Sequence, residues 1–468
     1  MDFSWKVIID AGLISSALIV ATFIRSKVRF FQKYLIPNAL TAGFILLPLY
    51  NFVLPAVGYK MNGLGDLVYH LLNISFISMS LRSSPPKVKG HSGGGVLGMS
   101  TGILMGYATQ ALLGLSLTLL FLPKIHPAFG LHLPLGFALG PGQAYAIGKG
   151  WEAMGFEGGA SVGLTFAAFG YLWACFGGVV LINMGIKRGW ISAEMLAFMR
   201  DKELLTGIMT KDKEKPVGGR LTTDTSAIDS LSFHIAAVCV VYFLSFLLLK
   251  TLSFFLAFAG KTGAELAANF WGINFIFSAL AAIVVRRVID ALKLGYILDD
   301  DTLTRVSGFS VDFMVSGALA AISLIFVGQY WFPIIVMTTI CGLMITISVP
   351  WMSSRMFNDY RFERMLMLYG VSTGTLSTGL ALLRVMDPEF KTKVSSDYML
   401  SAGLTFIFAI PFILCINLPA KAFVTGDMSY YWLMMGVAAI YMLYVLVSYV
   451  YLAKRKSFAK PGQLWYKG

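Results

Sequence analysis

Two segments of the chain combine glycine with side chains that can bind an ion or a small polar solute. One lies at about 131–153 and the other at about 365–386. Glycine and proline at this density interrupt helices, and an interrupted helix leaves backbone N–H and C=O groups free for a ligand. The following residues of the two segments are therefore predicted to bind substrate: Gly140, Pro141, Gly142, Gln143, Tyr145, Ser372, Thr373, Gly374, Thr375, Ser377 and Thr378.

Charged residues within the two segments suggest further contacts. Arg384 lies in the second segment, and its guanidinium could hold a substrate carboxylate through two hydrogen bonds. The alternative is a side chain that extends to the cytoplasmic edge of the membrane. Lys149 and Glu152 stand three residues apart in the first segment, so they could pair on one helical face. A position at the outer mouth is the favoured interpretation for both.

A possible sodium site is indicated by polar residues inside otherwise apolar segments. Asp312 lies in such a segment with Ser316 one helical turn later, and Asn73 occupies a similar place earlier in the chain. A carboxylate at this depth is typical of an ion or proton site. The alternative is a salt bridge from Asp312 to Arg305 or Arg355 at the inner edge.

The composition indicates what must position these residues. Of 468 residues, 57% are hydrophobic and 13% are charged, whereas soluble domains carry about 25% charged residues. A membrane span needs about 20 mostly apolar residues. On this basis the sequence predicts an all-α polytopic membrane protein with spans at roughly 6–24, 36–57, 64–81, 93–122, 159–186, 232–258, 267–285, 308–328, 331–350, 398–418 and 430–452.

The net charge of +13 gives these spans an orientation. Lys and Arg concentrate in alternate loops, and cytoplasmic loops are the ones enriched in these residues. The pattern predicts an N-terminus outside and a C-terminus in the cytoplasm. Segments 131–153 and 365–386 then become re-entrant hairpins that enter from opposite faces, the first from outside. The charge excess is therefore assigned to topology, and no nucleic-acid partner is expected.

The order of the segments predicts an inverted repeat. Residues 1–186 and 232–420 each contain five spans and a hairpin, the basic loop 187–231 separates them, and 421–468 adds one helix and a basic tail. The span after each hairpin opens with the same four residues, Gly-Leu-Thr-Phe. Thr165 and Thr405 in these matching positions are further candidate sodium ligands. Inverted repeats with interrupted helices are typical of secondary transporters.

Several segments resemble the bacterial sodium/glutamate symporter family, over roughly residues 5–420. The similar features are a glycine-rich turn followed by an apolar helix between Leu139 and Asn183, the start of the second span, and the second hairpin. They include Gly140–Gly142, Gly155-Phe156, Phe169-Gly170, Gly177-Gly178, Ile36-Pro37 through Gly43, and Gly370 to Ala381. The family's first hairpin usually reads Gly-Gly-His-Gly-Thr-Gly, whereas this chain has Gly140-Pro141-Gly142-Gln143-Ala144-Tyr145.

The resemblance implies a particular architecture and activity. Two inverted five-helix repeats would form a scaffold part, which dimerises, and a transport part that holds both hairpins. Transport would be sodium-coupled and elevator-like, with glutamate as the typical substrate. The extra helix at 430–452 is atypical of the family.

Taken with this resemblance, the sequence predicts a sodium-coupled symporter of a small anion, glutamate or a related amino or organic acid, in a bacterial inner membrane. The expected partners are sodium, the anion, lipid and a second copy of the chain, with no further cofactor. A sodium/proton antiporter in which Asp312 titrates is the first alternative, and an ion channel is the second. No HExxH motif is present, and we expect no enzyme.

Overall fold

The fold was obtained as a computed structural model. It describes residues 5–34, 36–59, 63–83, 93–191, 205–209, 211, 215–258, 260–387 and 392–466. The side chains of Ser377 and Arg384 lie outside the described part of the chain, so the sequence predictions for these two side chains stay predictions. Across the described ranges the secondary structure is helical and contains no strand, which confirms the all-α prediction.

Apolar runs form the long helices, because a helix satisfies its own backbone hydrogen bonds where no water is present. The first half contains α1 (Lys6–Lys27), α2 (Arg29–Lys33), α3 (Asn38–Pro48), α4 (Leu64–Ser80), α5 (Gly93–Phe121), α6 (Pro141–Glu152) and α7 (Gly159–Lys187). The second half contains α8 (Ser230–Ala257), α9 (Gly260–Gly272), α10 (Asn274–Ala291), α11 (Asp300–Ala320), α12 (Leu324–Met356), α13 (Arg361–Thr373), α14 (Leu376–Met386), α15 (Val394–Leu414), α16 (Leu418–Thr425) and α17 (Ser429–Ala453).

Eight helices of the described part are long and apolar enough to cross a membrane, which supports a multi-pass membrane protein. Eleven spans were predicted, and a helix is found in each predicted region. The difference arises in three places. Helix α4 has only 17 residues, the span predicted at 267–285 is interrupted at Ile273, and α11 is long enough but too polar, since it carries Arg305 and Asp312.

The first predicted hairpin is an interrupted helical pair. A 3-10 helix at Pro127–Leu131 and a π-helix at Pro134–Leu139 lead to Gly140, after which α6 starts at Pro141. Aromatic rings fix the first limb around the fully buried His132, with Trp151 at 5.0 Å and Phe166 at 5.9 Å. We call residues 131–153 hairpin 1.

The second predicted hairpin has the same plan. Helix α13 ends at Thr373, α14 starts at Leu376, and the two pack closely at Gly370 and Gly379, where an added Cβ on Gly370 would lie 2.6 Å from the Gly379 Cα. Close approach of two helix backbones is what small residues permit. We call residues 361–386 hairpin 2.

The helices pack as two groups. The frame group contains α1, α3, α4, α8, α9, α10 and α11, with its most extensive contact between α4 and α11. The hairpin group contains α5, both hairpins, α7, α12, α15, α16 and α17. Helix α6 of hairpin 1 provides much of the contact between the groups, through α4, α9 and α11.

The C-terminal segment folds back against the base of hairpin 2. Buried Arg355 donates to the carbonyl oxygens of Lys460 and Gln463, both at 2.9 Å. The Trp465 ring stacks on Trp190 with centroids 5.0 Å apart. Residues after α17 thus connect the ends of α7 and α12.

Candidate functional site

The interruptions of the two hairpins meet each other. Gly140 has a φ of +98°, and a Cβ added there would lie 2.7 Å from Cγ2 of Thr375 and 3.8 Å from the Gly374 carbonyl oxygen. Glycine adopts this backbone region at no steric cost, and a side chain there would collide with the opposite hairpin. The tips of the two hairpins, at Gly140 and at Gly374–Thr375, therefore lie in contact within the hairpin group.

Two helices begin at this meeting point. Helix α6 starts directly after Gly140 and α14 directly after Thr375. The first N–H groups of a helix have no partner within it, and its N-terminus carries a partial positive charge. Two such ends at one location favour an anion, while the limbs that end there offer carbonyl groups to a cation.

Some of the predicted hydroxyls serve the hairpin backbone. The Thr375 N–H donates to Oγ1 of Thr378 at 2.8 Å, and the Thr378 hydroxyl lies 2.8 Å from the Gly370 carbonyl oxygen. Thr373 donates to the Tyr369 carbonyl oxygen at 2.7 Å. Thr373 and Thr378 thus shape the interruption of hairpin 2.

Several buried oxygens in or beside hairpin 2 lack a hydrogen-bond partner among the described residues. Two of them are Oγ of Ser372, which is 2% exposed, and Oε1 of Gln110, which is 0% exposed. The Gln110 amide nitrogen donates to the Ser372 carbonyl oxygen at 2.7 Å, so both oxygens flank one hydrogen bond. Buried polar atoms are normally paired, so these are available to a ligand.

Gln110 was missed by the sequence reasoning. It stands within the long apolar run of α5, and a single amide in such a helix was the available signal. Tyr171 of α7 was missed as well, and its hydroxyl faces Thr375 at the tip of hairpin 2. Both residues come from helices that were predicted as plain spans.

The remaining predicted residues of hairpin 1 lie along α6. Gln143 is buried near the tip, with Oε1 3.9 Å from the Cβ position of Gly140. A Cβ on Gly142 would lie 2.7 Å from Leu72 of α4, and the Tyr145 hydroxyl occupies the space beside Gly65. Gln143 therefore belongs to the tip, whereas Gly142 and Tyr145 contact the frame group.

The predicted sodium ligands occupy separate places. The Ser316 hydroxyl donates to the carbonyl oxygen of Ala39 or Asp312, and Thr165 donates to that of Ser161. Thr405 of α15 donates to Ser100 of α5 at 2.9 Å. Oδ1 of Asn73 accepts a hydrogen bond from the Ser278 hydroxyl at 2.9 Å.

Asp312 differs from the other predicted ligands. Its carboxylate is exposed and forms no ion pair with the residues that the structure describes. Arg305 instead approaches the Gly218 carbonyl oxygen, and Arg355 binds the C-terminal segment. The alternative of a salt bridge from Asp312 to either arginine is therefore wrong.

Lys149 and Glu152 pair with each other at 2.6 Å, as their spacing allowed. The Lys149 side chain is 61% exposed, so this pair lies at the surface of hairpin 1.

Comparison of the chain with models of protein families, with curated proteins and with solved structures gives no match.

Proposed function

We propose that this protein is a sodium-coupled secondary active transporter that moves a small anion by symport. The observation that carries the proposal is the contact between Gly140 and Thr375, where two interrupted helices meet beside buried unpaired oxygens. Secondary transporters bind substrate and coupling ions at such interruptions. Glutamate or a related amino or organic acid is the proposed substrate, in the inner membrane of a bacterium.

Matched helix packing supports the inverted repeat. If α1, α3, α4, α5 and α7 correspond to α8, α10, α11, α12 and α15, each major contact has a counterpart. The α1–α3 contact matches α8–α10, and α3–α11 matches α10–α4. Within the hairpin group, α5–α15 matches α12–α7. Such pairing is expected when two repeats are related by a pseudo-two-fold axis.

The division into two groups supports an elevator-like motion. Both hairpins belong to one group, and α6 provides much of its contact with the other. A group that carries the whole substrate site can move as a body against a fixed partner. In this proposal the frame group also supplies the contact between two copies of the chain.

The two helix N-termini at the tips favour an anionic substrate, since they place partial positive charge where the hairpins meet. Sodium would bind at oxygens of the same group. Gln110 Oε1 and Ser372 Oγ are two of the unpaired oxygens beside the tip of hairpin 2. A site that takes both ions couples their movement, because each ion offsets the charge of the other.

One observation favours a second function. Asp312 presents an exposed carboxylate without an ion pair to the described residues. A sodium/proton antiporter needs such a group, because it must bind sodium and protons in turn.

Uptake into proteoliposomes with an imposed sodium gradient tests the proposal. A panel of amino acids and organic acids supplies the candidate substrates, and potassium at equal ionic strength replaces sodium as control. Sodium-dependent accumulation of one acid is expected. Proton movement driven by sodium without any acid would favour the antiporter, and downhill flux far above carrier rates would indicate a channel.

A further inference from the structure

A buried polar cluster lies in the frame group, away from the hairpin tips. It consists of Asn73 on α4, Ser245 on α8, and Asn274 and Ser278 on α10, with exposures between 0% and 2%. Helix α10 begins at Asn274, directly after the interruption at Ile273. The cluster therefore joins three helices at the point where the second half of the frame group is broken.

The oxygens of this cluster outnumber its protons. Oγ of Ser245 lies 2.7 Å from Oδ1 of Asn274 and 3.0 Å from Oγ of Ser278. Oγ of Ser278 lies 2.9 Å from Oδ1 of Asn73. Three close oxygen–oxygen contacts share two hydroxyl protons, because a serine hydroxyl has one proton and an amide oxygen has none. One contact is left without a proton.

The amide groups cannot supply the missing proton. The Asn73 nitrogen donates to the Tyr69 carbonyl oxygen at 2.8 Å, which turns its oxygen toward Ser278. The Tyr69 hydroxyl donates its proton to the Trp271 carbonyl oxygen, and it also faces the Asn274 side chain. The Asn274 nitrogen is the group that can pair with this hydroxyl, so its oxygen points to the serines.

An oxygen cluster without enough protons is stabilised by a hard cation, which accepts electron density from every oxygen at once. None of the four side chains carries a charge, so a divalent ion would remain uncompensated in a buried place. Because these oxygens lie 2.7–3.0 Å apart, the smaller sodium ion requires less separation of them than potassium does. We propose that Asn73, Ser245, Asn274 and Ser278 form a sodium site that ties α4, α8 and α10 together.

This site goes beyond the transport proposal. It lies in the group without hairpins, so an ion bound there would stabilise the frame and would not accompany the substrate. Its test needs no substrate and no transport, and failure of either proposal leaves the other intact.

Thermal unfolding of the purified full chain in detergent tests the site, with sodium chloride compared with choline chloride and potassium chloride at equal ionic strength. Sodium is expected to raise the unfolding temperature of the wild type with saturation, since an ion that binds the native state stabilises it. Ser245→Ala and Ser278→Ala should lose the part of this increase that Ser372→Ala retains. Ser75→Ala is the matched control, since Ser75 is a buried serine of α4 that bonds to the Leu72 carbonyl oxygen.

Ser372→Ala separates this site from the hairpin tips, and it should keep a sodium-dependent increase. Ser245→Ala removes two of the three contacts, including the one without a proton, so its unfolding temperature in choline should stay near that of the wild type. If Ser278→Ala fails to fold, Ser245→Ala decides alone. The proposal is overturned if the wild type gives no sodium-specific increase, or if Ser245→Ala retains it in full.

Discussion

The distance between the two hairpins is set by one close contact, between Gly140 and Thr375. The Cβ position of Gly140 lies 2.7 Å from the Thr375 methyl group, so only a residue without a side chain fits there. The positive φ of Gly140 places the start of α6 at the tip of hairpin 2. The absence of a side chain at Gly140 thus lets the start of α6 lie against the start of α14.

Gln110→Leu tests the unpaired oxygens beside hairpin 2. Leucine fills a similar volume but removes both the bond to the Ser372 carbonyl oxygen and the free Oε1. We expect sodium-driven uptake to fall by about tenfold, the effect of a change near 1.4 kcal/mol. Initial uptake rates in proteoliposomes measure it. Thr109→Val is the control, because the Thr109 hydroxyl bonds within its own helix. Equal loss in both variants would count against a role for Gln110.

Asp397→Asn tests a buried ion pair at the base of hairpin 2. Arg364 donates to Asp397 at 2.6 Å, and their side chains are 0% and 1% exposed. Neutralising one partner leaves a buried charge, which costs about 3–5 kcal/mol. We expect a large fall in the thermal unfolding temperature in detergent. Asp359→Asn is the control, since the Asp359 side chain is 46% exposed. Loss of its ion pair should lower the free energy of unfolding by about 0–1 kcal/mol. Similar effects of the two changes would contradict this account.

The residues of the site were only partly predictable. Glycine, proline and hydroxyl density located both tips, because these residues interrupt a helix wherever they cluster. Gln110 and Tyr171 were missed, since nothing in a long apolar run tells which of its faces will meet a hairpin. Thr373 and Thr378 were assigned to substrate, but their partners are backbone groups that exist only once hairpin 2 has folded.

The elements of the fold follow from local signals in most places. Helix α11 shows the limit of counting apolar residues, which placed its start eight residues late. Asp299 caps the helix by accepting from the Thr302 N–H at 2.8 Å, and the acidic first turn suits the helix dipole. The three aspartates at 299–301 therefore mark the start of α11, although the stretch is polar.

Removal of residues 457–468 tests the C-terminal segment as an element. The segment satisfies the buried guanidinium of Arg355 and covers Trp190 with Trp465. We expect a lower thermal unfolding temperature and faster proteolysis between α12 and α13, because the base of hairpin 2 loses its partner. Removal of 467–468 alone serves as control. An unchanged unfolding temperature after the longer deletion would show that the segment contributes nothing to stability.

At the scale of the whole molecule, the described helices pack as two groups. Alternation of apolar segments predicted where most helices lie, but it predicted eleven spans, whereas eight of the described helices are long and apolar enough to cross a membrane. The grouping could not be predicted from any single segment, because it depends on which helices of the first half pack on helices of the second. The contact between α4 and α11 joins residues more than 200 positions apart in sequence.

A cross-link between the groups tests their relative motion. Ala146 on α6 and Gly272 on α9 lie close, since a Cβ on Gly272 would be 3.9 Å from the Ala146 carbonyl oxygen. A disulfide between cysteines at both positions, with the native cysteines replaced, should stop uptake until a reductant is added. The two single-cysteine variants are the controls. Normal uptake by the cross-linked protein would contradict an elevator-like motion.

The most direct measurement of the central claim is sodium-dependent uptake by Gly140→Ala beside Gly150→Ala. Both glycines belong to hairpin 1, but an added Cβ at Gly150 has no heavy atom within 4 Å. If the substrate binds where the two tips meet, Gly140→Ala loses uptake by about tenfold or more while Gly150→Ala keeps the wild-type rate. Wild-type uptake by Gly140→Ala would contradict the claim that the hairpin tips form the substrate site.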